Sequence, residues 1–176
     1  ALHLYRHWVR WRSIDVVGNP LSLPRLNFST ERAATRARLG ITEERETHWL
    51  WVHVANFREV KDQSTLLRGF ALALKNSAEK QTLVIVGDGP EKEKLLGLAS
   101  DLGLQGHVRW VGFSDEVGVY LAAADGIVLS SRSEALPMSV LEAAIYELVL
   151  VSSRVGGVPE IVQDRKTGYL FRPGEP

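Results

Sequence analysis

From residue 14 onward this sequence alternates between short apolar runs and longer stretches of helical character. The apolar or β-branched runs are residues 14–17, 49–55, 82–86, 108–111, 126–129 and 148–152; the helical stretches are 30–39, 63–75, 91–102, 116–123 and 139–146. In the third helical stretch Leu95, Leu96, Ala99 and Leu102 recur at the spacing of one buried stripe. In the last, Val140, Leu141, Ala144, Ile145 and Leu148 make the expected buried stripe, with Met138, Ser139, Glu142 and Tyr146 on another side. Strands that alternate with helices build βαβ units and a parallel sheet covered on both faces. The expected class is α/β. Such sheets bind ligands beyond the carboxyl ends of their strands, so the loops there hold the candidate chemistry.

Composition narrows the function. The chain has 176 residues, the length of one ordinary domain, and 45% are hydrophobic, enough for a real core. A formal net charge of +0 argues against wholesale nucleic-acid binding, which needs a basic excess. There are no cysteines, which excludes disulfides, thiolate catalysis and cysteine-ligated zinc. No apolar stretch approaches the roughly 20 residues of a spanning helix, and no signal peptide is visible. The expected location is cytoplasmic. The first residue is not Met and the last six are Phe171-Arg-Pro-Gly-Glu-Pro176, just after an apparent strand. Both ends read as cut from a longer protein.

Four loops at the ligand-binding edge stand out. Val84-Ile-Val-Gly-Asp-Gly-Pro90 runs from a strand into a helix. It reads either as a pyrophosphate cradle or as a structural turn; as a dinucleotide fingerprint it is incomplete, because the third glycine would fall at Lys92. Ala55-Asn-Phe-Arg-Glu-Val-Lys-Asp62 places Arg58 and Lys61 where they are either solvated or neutralise a diphosphate. Each such contact is a charge-assisted hydrogen bond of about 1.5–3 kcal/mol. Ser131-Arg-Ser-Glu-Ala-Leu-Pro-Met-Ser-Val-Leu-Glu142 carries one glutamate in the loop and a second on the helix. A helix start between them is a natural phosphate seat. Were the segment wholly helical, the two carboxylates would stand about 12 Å apart, beyond the roughly 5–9.5 Å of a glycosidase pair. The alternative is two ordinary exposed glutamates. Ser152-Ser-Arg-Val-Gly-Gly-Val-Pro-Glu160 is another glycine turn, open to a ligand or simply tight.

Taken in order, these loops resemble the donor-binding domain of the group-one, family 4 retaining glycosyltransferases. The similarity runs from Val16-Val-Gly-Asn-Pro20 to Phe171. It is carried by Val54-Ala-Asn-Phe with Lys61, Val86-Gly-Asp-Gly-Pro90, Val108-Arg-Trp-Val-Gly-Phe113, Ala124-Asp125, Ser130-Ser-Arg-Ser-Glu134, Glu142-Ala143 and Val155-Gly-Gly-Val-Pro-Glu160. The resemblance implies a Rossmann-like parallel sheet, one half of a two-domain GT-B enzyme of polysaccharide biosynthesis. It makes residues 14–176 the nucleotide-sugar donor domain, without the acceptor domain, and residues 1–13 an interdomain remnant. It further implies that Glu142 accepts hydrogen bonds from the ribose hydroxyls. Glu134 lies beside the transferred sugar, with the amides of Ala135 and Leu136 at sugar hydroxyls. The amides near Met138 and Ser139 receive the distal phosphate, Lys61 stabilises the leaving group, Gly87 adjoins the donor, and Phe113 and Ser114 line the base. Transfer from a nucleotide diphosphate sugar to a saccharide or lipid-linked acceptor then retains configuration and needs no cofactor and no dedicated metal site.

The sequence also departs from that family. Asn56 stands where Arg is usual, which removes one of two phosphate-binding cations, and Arg58 is its candidate substitute. Ala135 replaces the usual Gly, Glu147-Leu-Val149 replaces a glycine and proline, and Arg154 replaces an acidic or amide residue. A degenerate nucleotide-sugar-binding module is therefore the alternative, and the chain alone is expected to lack transferase activity. A nicotinamide-dependent dehydrogenase rests only on the incomplete glycine motif. The segment His3-Leu-Tyr-Arg-His-Trp-Val-Arg-Trp-Arg12 reads as an interdomain remnant or as a helix at the inner membrane face.

Overall fold

A computed structural model describes residues 28–41 and 48–176. The apolar run 14–17 and the segment 1–13 lie outside the described residues. The rest forms one six-stranded sheet in the order β3-β2-β1-β4-β5-β6, with every pairing parallel. Along the chain the elements are α1 (Phe28–Arg38), β1 (His48–Val54), a 3-10 turn (Glu59–Lys61), α2 (Gln63–Lys75), β2 (Lys80–Val86), α3 (Lys92–Asp101), β3 (Val108–Gly112), α4 (Val117–Ala123), β4 (Gly126–Leu129), α5 (Met138–Ile145), β5 (Val149–Ser153), α6 (Val158–Ile161) and β6 (Gly168–Phe171). The expected α/β alternation is borne out across the described residues.

Side chains two apart on a strand share a face, and this sorts the core into two layers. Leu50, Val52, Val84, Val86, Ile127, Leu129 and Leu150 pack on one face with Leu121 of α4, Val140 and Ala143 of α5 and Val158 of α6. Leu83, Ile85 and Val108 pack on the other with Leu66, Leu67 and Phe70 of α2 and Leu95 and Ala99 of α3. The stripe expected on α3 holds at Leu95, Ala99 and Leu102, whereas Leu98, rather than the expected Leu96, packs against that core. The stripe expected on α5 does not. Its buried residues are Ser139, Val140 and Ala143, while Ile145 is 46% exposed. The helix lasts only eight residues. It is rotated so that the small Ala143 sits against the sheet, where a larger side chain would hold it off.

At the amino ends of the strands a buried carboxylate fixes α1. Asp125, fully buried, takes Arg32 at 2.5 Å and Arg36 at 3.2 Å, and also accepts the Leu50 amide at 2.8 Å. Arg36 donates further to the His48 carbonyl at 2.7 Å. Fixed charges and backbone groups thus satisfy a carboxylate that would be costly to bury alone. On the second face, a groove of about 380 Å³ lies between α2 and the neighbouring strands, lined by Trp51, Phe70, Val128, Val151, Phe171 and Pro176 among others.

Candidate functional site

The strand order reverses between β1 and β4: the chain moves outward through β2 and β3, then returns to the other side of β1. In open α/β sheets the ligand crevice forms beyond the carboxyl ends of the strands at such a switch point. Here two loops flank it, the one from β1 to α2 and the one from β4 to α5. They are tied together. The Arg132 amide donates to the Val60 carbonyl at 2.8 Å, and Ser130 Oγ to the Lys61 carbonyl at 2.9 Å. Arg132 Nε donates to Asp62 Oδ2 at 2.9 Å.

The fourth tie joins the residues that the resemblance assigns to the leaving group and the transferred sugar. Lys61 Nζ lies 2.6 Å from Glu134 Oε1, with the lysine side chain 23% and the glutamate 12% exposed. Ser131 Oγ donates to the same carboxylate oxygen at 2.6 Å. Ser153 Oγ in turn donates to the Ser131 carbonyl at 2.6 Å. Behind Glu134, Gly156 adopts φ 49°, and a Cβ there would run into the Glu134 carbonyl, with the Ala135 carbonyl at 2.7 Å. The Gly157 amide donates to Ala135 at 2.7 Å. The glycine pair therefore admits neighbouring backbone, and so fixes the loop carrying Glu134.

Asp62 has φ 46°, in the left-handed region, and still starts α2. Aspartate tolerates that conformation because its short side chain bonds locally. Here it accepts the Thr65 hydroxyl at 2.9 Å and the Thr65 amide at 3.4 Å. The residue immediately after Lys61 is thereby locked.

The remaining expected site residues fall along the same edge. Ala135, Leu136, Met138, Ser139 and Glu142 follow Glu134 directly. The helix α5 begins at Met138, so residues 134–137 are loop and the all-helical span between the two glutamates does not apply. Glu142 is half-buried, and burial pushes its carboxyl above the usual range. Tyr146, one turn on, is also raised, by burial and then by the charge of Glu142. The two share a side of α5, as the sequence indicated. Asn56 has an exposed side chain, and its carbonyl accepts Gln63 Nε2 at 2.9 Å. Arg58 lines a separate small polar cleft with Glu91, Lys94 and Arg132. Gly87 and Phe113 mark the ends of β2 and β3, joined by a bond from the Gly87 amide to the Gly112 carbonyl at 2.8 Å. Phe113 is 77% exposed, and Ser114 Oγ accepts the Glu116 amide at 3.1 Å.

The glycines of Val86-Gly-Asp-Gly-Pro90 have a packing task. At Gly87 (φ 142°) a Cβ would run into the Ala55 carbonyl; at Gly89 (φ 157°) it would stand 2.6 Å from the Phe57 carbonyl. The Phe57 amide donates to Asp88 at 2.9 Å. Of the two readings of this motif, the structural turn matches that arrangement.

Sequence reasoning missed His53. It is 1% exposed at the end of β1, its Nδ1 lies 2.8 Å from the Val128 carbonyl, and Nε2 has no hydrogen-bond partner among the described residues. Burial lowers its pKa to about 4, and the nearby Lys61 charge pushes in the same direction. A histidine inside the apolar run 49–55 was the available signal. Asp62, Arg132, Ser131 and Ser153 were equally unassigned, although Asp62 stands where a helix cap belongs. Among the described residues no group of three or more His, Asp or Glu is placed to hold a metal ion, and no helix is long and apolar enough to cross a membrane.

Residues 36–176 match the family model described as glycosyl transferases group 1. The N-acetyl-alpha-D-glucosaminyl L-malate synthase of Bacillus anthracis is 32% identical over 151 residues, which cover 86% of this chain and 38% of that protein. The lipopolysaccharide core biosynthesis glycosyltransferase LpsE of Rhizobium meliloti is 37% identical over 93 residues, 53% of this chain and 27% of its own. Among solved structures, Anabaena Alr3699/HepE in complex with UDP-glucose superposes with a TM-score of 0.73 at 24% identity, covering 83% of this chain and 40% of that one. That likeness is one of fold. The chain spans well under half the length of each of these proteins. With its parallel Rossmann-like sheet of the GT-B kind, the chain belongs to the group 1 glycosyl transferases.

Proposed function

We propose that residues 14–176 are the donor domain of a retaining glycosyltransferase that moves a hexose-type sugar from a nucleotide diphosphate sugar to a saccharide or lipid-linked acceptor. The observation that carries this reading is the Lys61–Glu134 pair, held at the switch point by three further cross-loop contacts. A cation for a departing diphosphate and a carboxylate for sugar hydroxyls stand side by side where a donor would lie. The start of α5 supplies backbone N–H groups at Met138 and Ser139 for the distal phosphate. Glu142, raised by burial, gains from ribose hydroxyls that donate to it. Phe113, exposed at the end of β3, offers a face for the base. Preorganised charge at the leaving group carries the catalysis, and acceptor binding falls to parts of the enzyme outside this domain. With a lipid-linked acceptor, the enzyme would also meet the membrane peripherally, at its inner face.

Calorimetric titration with UDP, GDP and ADP tests the reading. At least one should bind, and Lys61→Ala and Glu142→Ala should each weaken it about tenfold or more, the value of one charge-assisted contact. Wild-type affinity in both variants would place the donor elsewhere.

A further inference from the structure

The proposed donor site holds its cation already engaged. Lys61 Nζ is 2.6 Å from Glu134 Oε1, and both side chains are mostly withdrawn from water. The two partners differ in freedom. Glu134 is pinned from three sides: by the Ser131 hydroxyl at 2.6 Å, by Gly156 against its carbonyl, and by the Gly157 amide on Ala135. Lys61 ends in a flexible stem with three rotatable donors. A diphosphate that takes the ammonium must therefore draw it from a fixed carboxylate.

We propose that Glu134 competes with the diphosphate for Lys61, and so makes this site prefer the sugar-bearing donor to the spent nucleoside diphosphate. This rests on the donor-site reading above and adds a specificity role to it. The physical reason is a difference in what each ligand returns to the carboxylate. A nucleotide sugar removes Lys61 from Glu134 but supplies hydroxyl donors in its place. A free nucleoside diphosphate removes Lys61 and supplies none, which leaves a largely buried carboxylate facing phosphate charge. The usual second cation is absent at Asn56, and Arg58 lines another cleft with Glu91 and Lys94. Lys61 thus carries the competition.

The test is a set of titrations of the full chain with UDP and UDP-glucose, and with GDP and GDP-mannose. Glu134→Gln keeps an acceptor for Ser131 but removes the charge. It should bind the free diphosphate about fivefold tighter than wild type and lose most of the preference for the sugar-bearing form. Glu134→Asp, which withdraws the carboxylate from Lys61, should shift both in the same direction by less, and serves if the glutamine variant melts early. A merely structural role for Glu134 would weaken both ligands together. Should Glu134→Gln bind diphosphate no tighter, while Lys61→Ala and Glu142→Ala still weaken it, the competition is refuted and the donor site stands. Should no nucleotide bind, or should Lys61→Ala and Glu142→Ala leave binding unchanged, the donor site falls and this role with it.

Discussion

The loop after β2 and the paired loops after β1 and β4 lie on the same edge of one sheet, yet they are built in opposite ways. The first depends on the absence of side chains: Gly87 and Gly89 let its backbone close against Ala55 and Phe57. The second depends largely on side chains, with Lys61, Asp62, Ser130, Arg132 and Glu134 engaged across the gap and Ser131 holding Glu134 within its own loop. In the sequence, the glycine loop reads either as a pyrophosphate cradle or as a structural turn. In the structure, its glycines close on neighbouring backbone, and the polar loops gather the charged side chains. Glycines mark close approach without saying whether the approaching group is a phosphate or the protein itself.

The largest expected effect breaks this contrast if it goes the wrong way. Gly87→Ala should destabilise the chain by at least about 3 kcal/mol in chemical denaturation, since its Cβ meets a backbone carbonyl at a φ that disfavours it. A variant that keeps the wild-type midpoint but loses nucleotide binding would show the glycines to be ligand-facing after all.

His53 sharpens the contrast through pH. The unfolded histidine takes up a proton near pH 6.5 but the folded one only near 4, so between those values the unfolded state binds more protons. Stability is full above pH 6.5, falls as the pH drops toward 4, and then levels. At about 1.4 kcal/mol for each pH unit of the gap, the loss approaches about 3 kcal/mol. Denaturation midpoints between pH 7 and 4 should show it, and His53→Leu should flatten that part of the curve. An unchanged slope in the variant would move the acid sensitivity to another group.

The smallest effect concerns Asp62. Asp62→Ala removes the cap on α2 and the partner of Arg132, and should cost about 1–2 kcal/mol, read as a lower thermal midpoint. Asp62→Asn should recover part of it, because asparagine also caps and tolerates the left-handed backbone. Equal losses in both variants would mean that the Arg132 pairing, rather than the cap, holds the loop.

The sheet was legible because its signal is periodic: 49–55 against His48–Val54, and 63–75 in full agreement with Gln63–Lys75. The burial of α5 was not. Ala143 and Ile145 stand about 160° apart around the helix axis, and over only eight residues the apolar pattern did not show which of these sides packs on the sheet. The bonding between the candidate residues was not legible. Lys61 and Glu134 are 73 positions apart, and only the reversal of strand order between β1 and β4 brings their loops together. Nothing local announces that Ser153 supports Ser131, or that Gly156 serves the backbone of Glu134.

Asp125 bears on how freely such a domain can diversify. Its grip on Arg32, Arg36 and the Leu50 amide secures α1 and two central strands at the end of the sheet opposite the proposed donor loops. Anchorage and chemistry are thus housed at opposite poles. A substitution at Asn56 or Ala135, at the far pole, leaves the clasp untouched, so the proposed ligand loops can change without disturbing what anchors the fold.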